Sequence, residues 1–597
     1  MGMDLYKTSA VARGVWDRAD KYMLKQYGVS LLDIVRSNPK EYTVHFGGAK
    51  GAQIRQNYID LFKRGASSST ASALPNITSR TRRYTHRSPM GLLHATQFTQ
   101  PAIIIFELAT VADLRSRALI HEDAVFAGHS LGEYIALAAT SNVFTIEDTV
   151  DITFYRGMVM QSSVERDEFG RSPYGMVAAN PSRVHRRFGE KALSAVVDLI
   201  GTQTSELLEI VNYNIQSQQY VVAGRLTNLN MLQRVLDTLF AIYSRDSALV
   251  DLSAVSEVVN GILSDGPDMS PPQRGRATIP LAGIDVPFHS SLLLNGVEPF
   301  RLCVKKAVFE SKLDYRRLIN RYIPNLTSVP FDLTREYFEM VYQITNSMAI
   351  NHELQEWGSV QSSEDERDRL ARVLLTELLA YQFASPVRWI ETQNQILCNF
   401  SIRRLIEIGP TATLCGMAQK TLSLVGSAHP QSIAILHSEK DEQDIGYLFS
   451  TEADMDSASD DAALQPEPTA TAVPPSAAPA TPALPEAPAT PAEAVQDAPL
   501  DPRDVVQVLV AQKLKRSLED IEASRTIKDL TAGKSTLQNE IVGDLQKELG
   551  SGVPEKPEDL SLHDLGNSIS SFSGTLGKHS SSQIARLFST KMPGGFT

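Results

Sequence analysis

The sequence predicts an α/β protein interrupted by a βαββαβ insertion and followed by a linker and a helical C-terminal domain. Three observations carry this. The pentapeptide Gly128-His129-Ser130-Leu131-Gly132 stands behind the apolar run Ala124 to Ala127 and before the helix-forming run Ile135 to Ala139, which is the strand, sharp turn and helix of a nucleophile elbow. Between Tyr174 and His289, four short strand-like segments alternate with helical candidates in the order βαββαβ. From Thr451 to Pro499 the chain is dominated by Ala and Pro with scattered acids and almost no bulky apolar residues, a composition that cannot build a core.

Taken in order, Pro101 to Leu119 reads as a helix, then come the short strand, the elbow and a second helix, the rhythm of an α/β layer fold. The strands of the insertion are Gly175 to Ala178, Leu207 to Val211, Gln219 to Ala223 and Thr278 to Ala282. Arg367 to Tyr381 is a helix, and Arg404 to Ile408 a buried strand ending in the turn Gly409-Pro410. The linker, placed at 447–499, spans about 35–42 Å as a flexible coil and about 150 Å as polyproline. Beyond it Asp501-Pro502 opens a helix, with an acidic cap and proline in the first turn. Ser535 and Gln538 have the spacing of a capping box, with Leu537, Ile541 and Leu545 along one helical face. The expected domains are thus a core of 1–173 and 290–446, an insertion of 174–289, the linker, and a helical domain of 500–597.

A chain of 597 residues supports several domains. Its net charge of −12, with no extended Lys/Arg stripe, argues against nucleic acid as a partner. Cys303, Cys398 and Cys415 lack metal-ligand spacing and read as packed, unbridged thiols in a reducing compartment; no metal is expected. No signal pattern is visible, no run approaches the roughly 18 to 20 apolar residues of a membrane span, and Tyr6 breaks a myristoylation pattern at Gly2. A cytoplasmic protein that does not associate with membranes is expected.

The chemistry begins at Ser130. An elbow holds its serine at a helix N-terminus, where backbone N–H groups receive an oxyanion; the competing reading is a structural turn. A serine needs a base, and His289, in Asp285-Val-Pro-Phe-His289 after the last strand of the insertion, is placed to project into a cleft. The competing reading is a core histidine. Arg156, in Phe154-Tyr-Arg-Gly157, offers a planar fork suited to a dicarboxylic acyl group such as malonyl, although a lone arginine is more often a surface charge.

Several segments together resemble the malonyl/palmitoyl transferase and acyl carrier regions of fungal type I fatty acid synthase: His45-Phe-Gly-Gly48, Ala95-Thr-Gln-Phe-Thr-Gln-Pro-Ala102, Ala127 to Tyr134, Phe154 to Gly157, Val286 to His289, Ala380 to Trp389, Glu407-Ile-Gly-Pro410 and Gly533 to Glu540. They run in family order and cover nearly the whole chain outside the linker. The resemblance implies an acyltransferase fold, a hydrolase-like α/β core with an inserted ferredoxin-like subdomain, and an all-α carrier domain. It implies Ser130 as acyl carrier and His289 as base, with the imidazole oriented by a backbone carbonyl and no third triad residue assigned. It implies substrate binding by Arg156, Gln100 and Phe288, and an oxyanion held by the Leu131 N–H and the Gly47-Gly48 loop. That loop departs from the Gly-Gln-Gly-Ser-Gln pattern of the wider family, so the second donor stays open.

The resemblance also implies 4′-phosphopantetheine on Ser535, within Gly-Lys-Ser-Thr-Leu in place of the usual Asp-Ser-Leu. It implies malonyl-CoA, palmitoyl-CoA and CoA as substrates, with a phosphopantetheinyl transferase and the remaining synthase domains or subunits as partners. Around Trp357 to Arg369 the chain runs from β-subunit-like to α-subunit-like sequence, which resembles a single-chain variant or an engineered joining. Actinobacterial type I synthases, which also place the transferase before the carrier, are the nearest family alternative. No Gly-rich nucleotide fingerprint or condensing cysteine motif is visible, so a piece that loads and carries acyl groups without condensing or reducing them is expected. The alternatives are a polyketide-type malonyl acyltransferase with its carrier, a serine hydrolase or thioesterase, and a non-catalytic interaction module.

Overall fold

The computed structural model describes residues 1–63, 77–141, 143–168, 170–245, 252–264, 266, 270, 272–357, 363–425, 433–446, 501–514, 516, 518, 521–531, 535–549, 553–554, 556–569, 577 and 580. The chain divides into two compact units, Met1–Glu467 and Pro468–Thr597. The division falls inside the Ala/Pro-rich stretch, and the linker at 447–499 lies outside the described residues.

In the first unit the strands are β1 (Glu41–His45), β2 (Arg83–Arg87), β3 (Phe126–Ala127), β4 (Tyr174–Ala179), β5 (Leu208–Ile215), β6 (Gln219–Arg225), β7 (Thr278–Pro280), β8 (Tyr322–Ile323), β9 (Val387–Arg388), β10 (Arg404–Glu407) and β11 (Ala434–His437). The core is mainly helical. Helices Ala10–Tyr27, Thr96–Ser116, Gly132–Ser141, Ile146–Ser162, Val297–Glu310 and Glu364–Gln382 enclose one apolar cluster that includes Trp16, Phe98, Phe106, Phe154, Phe300 and Leu375. Thr96–Ser116 is apolar on most of its circumference, with Ala102, Ile104, Ile105 and Phe106 all buried, as befits a helix packed on several sides. Its parallel pairs are short: β3 joins β8 by Phe126↔Tyr322 and Ala127↔Ile323, and β10 joins β11.

The insertion forms a five-stranded sheet in the order β7-β4-β6-β5-β9. Its first four strands are mutually antiparallel and follow the split βαβ topology of a ferredoxin-like fold. Two elements differ from expectation. The second crossover contains two helices, Leu226–Arg245 and Leu252–Ser264. The sheet also gains β9, parallel to β5, from sequence far downstream, which ties the insertion back to the core. One face buries Leu193, Val196, Ile200, Leu229, Leu232 and Leu236 from the crossover helices.

The second unit holds helices Pro502–Leu514, Ile527–Leu530, Ser535–Leu549 and Leu562–Ser568 around Val506, Val510, Ile527, Ile541, Leu545, Leu562 and Leu565. Among its described residues a bridge, Thr526↔Ser561, joins two loops.

Two local expectations are corrected. Residues Arg404, Leu405 and Ile406 are only half-buried, in a strand that pairs with β11 alone among the described residues. Cys415 is buried and Cys303 half-buried, but Cys398 is exposed at the end of the helix-like turn 395–399, so packing does not describe it. The expected capping box of Ser535 and Gln538 lies outside the described residues at its cap, and Gln538 Nε2 donates 3.1 Å to Thr531 Oγ1.

Candidate active site

β3 delivers the chain into the elbow, and Ser130 is held at φ 52°, a left-handed conformation rare for a side-chain-bearing residue. Gly128 is required there, because a Cβ would collide with the Gly132 carbonyl and the Glu133 nitrogen. At Gly132 a Cβ would meet nothing within 4 Å, so crowding explains only the first of the two flanking glycines. The strain has a visible support in Asn325, which lies just past β8 and is 1% exposed. Its Oδ1 accepts from the Ser130 N–H at 2.7 Å, and its Nδ2 donates to the Gly128 carbonyl.

Ser130 Oγ lies 2.6 Å from His289 Nε2. The opposite ring nitrogen, Nδ1, faces the carbonyls of Gln382 (3.1 Å) and Ser385 (3.0 Å), so the proton sits on Nδ1 and Nε2 presents its lone pair to the serine. Among the described residues no carboxylate hydrogen-bonds the imidazole. His289 itself has φ 63°, and its backbone N–H donates to the Phe383 carbonyl. Burial pushes the imidazole down to about 3, with Arg156 and His129 acting in the same direction, so it is neutral at ordinary pH.

Arg156 comes from the helix Ile146–Ser162, which Thr145 and Asp148 start with a reciprocal capping box. Gly157 lets this helix approach Thr96–Ser116, since a Cβ there would lie 2.5 Å from Gln97 Cα. That approach sets Arg156 beside Gln100. Arg156 is 2% exposed. Its Nη1 donates to Gln100 Oε1 at 2.8 Å, and its Nη2 donates to Gln382 Oε1 at 3.0 Å and lies 3.4 Å from Ser130 Oγ. The guanidinium sits 5.6 Å from the Tyr134 ring centre. Burial lowers its pKa, opposed by Tyr134 and Glu133. A surface charge is therefore excluded at this position.

Gln382, at the end of the helix Glu364–Gln382, joins these groups. Its side-chain amide accepts from Arg156 and donates to the Ser130 carbonyl (2.5 Å) and to Glu133 Oε2 (2.9 Å). Phe288 is half-buried where the main core meets the sheet face carrying Met176 and Val221. Among the described residues no hydrogen bond takes the N–H of Leu131, which immediately precedes the helix Gly132–Ser141. Gly47 and Gly48 lie at the start of the helix Gly48–Lys63, with open space where a Cβ would project and Gly48 at φ 69°. Neither makes a hydrogen bond to Ser130, His289 or Arg156. Ser535 opens the helix Ser535–Leu549 in the other unit.

The structure thus brings Ser130, His289, Arg156 and Gln100 together and adds Gln382, Asn325 and Glu133, which sequence reasoning did not assign. Gln382 and Glu133 lay inside motifs already singled out. Asn325 had no local signal beyond a polar residue after an apolar pair.

The elbow thus sets a half-buried serine against a buried imidazole and a buried cation, an arrangement capable of acyl transfer. Residues 1–349 match the family described as acyl transferase domain, and residues 496–597 match fatty acid synthase subunit alpha acyl carrier domain. The chain belongs to the acyl transferase domain family, with the α/β fold and inserted ferredoxin-like subdomain of that family and an all-α carrier domain behind it. It is 44% identical to "Fatty acid synthase 2" of Mycosarcoma maydis over 100% of this chain and 16% of that protein. It is 48% identical to "Fatty acid synthase beta subunit aflB" of Emericella nidulans over 60% of this chain and 17% of that protein. The chain therefore spans about a sixth of the length of these relatives. Both segments stand in one chain in the first of them. Among solved structures it is similar to the acyl-carrier-protein-S-malonyltransferase of Bartonella henselae, at 20% identity and a TM-score of 0.43, over 76% of this chain and 94% of that one.

Proposed function

We propose that this chain transfers malonyl and palmitoyl groups between coenzyme A and its own carrier domain through an ester on Ser130, as part of a fatty acid synthase. The observation that carries the reading is Ser130 Oγ, 2.6 Å from a neutral imidazole nitrogen and 3.4 Å from a buried guanidinium. The proposed domains are a transferase core of 1–173 and 290–446, a subdomain of 174–289, a linker of 447–499 and a carrier domain of 500–597.

In the acylation step Ser130 Oγ attacks the thioester carbonyl while His289 Nε2 takes its proton. The oxyanion receives the Leu131 N–H and a second donor from the Gly47-Gly48 loop. Collapse of this adduct breaks the C–S bond, and His289 returns the proton to the leaving thiolate. The same steps in reverse pass the acyl group to a thiol acceptor. The carbonyls of Gln382 and Ser385 hold the ring in the reactive tautomer and stabilise the transient imidazolium. Arg156, with Gln100 and Gln382 fixing its fork, receives the malonyl carboxylate, and Phe288 lines the acyl path.

On the carrier, Ser535 would hold 4′-phosphopantetheine, which supplies the acceptor thiol when bound. A helix start suits the phosphodiester, because unpaired N–H groups and the positive dipole end face it. A phosphopantetheinyl transferase and the remaining synthase domains are the proposed partners, and the proposed location is the cytoplasm. No helix of the described residues is long and apolar enough to cross a membrane.

The test is mass-spectrometric mapping of the Ser130 and Ser535 peptides after phosphopantetheinylation and a brief incubation with malonyl-CoA. Malonyl on Ser130 and on a pantetheine arm at Ser535 is expected. Free malonate with an unloaded arm would indicate a hydrolase and overturn the reading.

A further inference from the structure

Glu133, the first glutamate after the elbow, is 0% exposed. Its Oε1 accepts from Tyr322 Oη and its Oε2 from Gln382 Nε2 at 2.9 Å. The other end of that same Gln382 amide accepts from Arg156 Nη2 at 3.0 Å. A carboxyl group and a guanidinium, both buried, are therefore joined through one amide. Sequence logic alone expects Arg156 to swing aside for an uncharged acyl chain, because an unpaired buried cation is costly. The geometry offers a different solution, in which the arginine stays and its charge is balanced from behind.

We infer that Glu133 sets acyl specificity as the counter-ion of Arg156, ionised when the acyl group is uncharged and protonated when a substrate carboxylate occupies the guanidinium. The inference rests on the proposed binding of malonyl at Arg156 and deepens it. Two carboxylates around one buried cation repel each other, so binding of malonyl favours the neutral acid at Glu133, with a proton taken from solvent. A palmitoyl chain brings no charge and leaves Glu133 ionised. Glu133 is poised for this exchange, since burial lifts its carboxyl to about 7 against the pull of Tyr322, Gln382, the Asn325 N–H and Arg156. The titratable groups facing it are Arg156 from Ile146–Ser162, Tyr322 from β8, Tyr337 from the helix Arg335–Thr345 and Tyr134 of its own helix. Thr96–Ser116, which also packs on that helix, brings Arg115 to the Ala139 carbonyl at its far end, while its buried Glu107, raised to about 8, faces Glu407 and is unaltered in the Glu133→Gln comparison. All three tyrosines are held well above their ordinary range, and His289 is neutral above about 3, so none of them titrates between pH 6 and 8.5.

The consequence is a pH-dependent choice between substrates. Below the Glu133 transition malonyl meets an uncompensated Arg156; above it malonyl must displace an existing anion. The malonyl-CoA KM should rise between pH 6 and 8.5 by about tenfold for each unit by which bound malonyl raises the Glu133 pKa, while kcat changes little and the palmitoyl-CoA KM stays level. In Glu133→Gln, which keeps an acceptor for Gln382 Nε2, the malonyl KM should be level over the same range.

A second measurement spares the fold. Calorimetry of the unaltered chain at pH 7.5, in two buffers of different ionisation enthalpy, with a malonyl-CoA analogue carrying CH2 in place of the thioester sulfur, should register uptake of a fraction of a proton. The acetyl analogue should register none. A level wild-type malonyl KM, a KM rise that persists in Glu133→Gln, or malonyl binding without proton uptake overturns the role of Glu133 while leaving Arg156 as the malonyl site. Absence of any malonyl transfer overturns both.

Discussion

Replacing Arg156 by alanine should separate the two proposed substrates, and the structure sets the size of the effect. The fork presents two N–H groups from Nη1 and Nη2, already aimed by Gln100 and Gln382. Two hydrogen bonds to a charged carboxylate, at roughly 1.5–3 kcal/mol each, put the loss for malonyl-CoA at roughly 3–6 kcal/mol. That is about 10² to 10⁴ in kcat/KM at 1.36 kcal/mol per decade. Palmitoyl-CoA has no carboxylate to lose, and its kcat/KM should stay within about tenfold, the residue of a loosened Gln382. Arg156→Lys should rescue little, because a point charge cannot hold Gln100 and Gln382 while also gripping a carboxylate. The assay is the initial rate of CoA release from each acyl-CoA with a thiol acceptor at fixed pH, alongside a melting curve that shows the variant is folded. Equal losses for both substrates would refute the reasoning, since they would mean that Arg156 supports the site without reading the acyl group.

Asn325→Leu should lower kcat for every acyl-CoA by about 10- to 100-fold with KM within about threefold, because the Ser130 N–H and Gly128 carbonyl lose their buried partner and the strained elbow relaxes; a KM effect without a kcat effect would argue against this. Stability should peak near pH 4.5–6.5. His86 and His289 are pushed down to about 3, so between 3 and 6.5 only the unfolded chain binds their protons and acid destabilises; Glu107 is raised to about 8 and Glu133 to about 7, so above 4.5 only the folded chain keeps theirs and rising pH destabilises. Glu107→Gln, at a carboxyl facing Glu407, should remove much of the alkaline decline in denaturant titrations between pH 6.5 and 9; an unchanged decline would show that Glu107 ionises without cost.

Local pattern alone determined a good deal of this protein. The elbow was legible because a positive-φ serine needs a small residue before it and a helix former after it, and all of these are neighbours in sequence. The four strands of the insertion were legible because β-rich runs alternate with helical ones at short range. The helical C-terminal domain was legible from the Asp501-Pro502 helix start and the spacing of its apolar residues. Arg156-Gly157 carried a partial signal: the glycine permits a close helix approach, but only the approach shows that the arginine is buried.

Tertiary structure decided the rest. Asn325 reaches Ser130 across 195 residues, and Gln382 reaches the same serine across 252. Both are single polar side chains whose meaning lies in which buried donor or acceptor they meet. β9 is two residues long and carries no strand pattern of its own, so its place beside β5 follows from packing alone. The same holds for Glu133. On a helical wheel it is one more acid in a first turn, favourable to the dipole. Burial and a shared amide turn it into half of a charge pair, and burial is a property of the whole fold that no window of neighbouring residues contains.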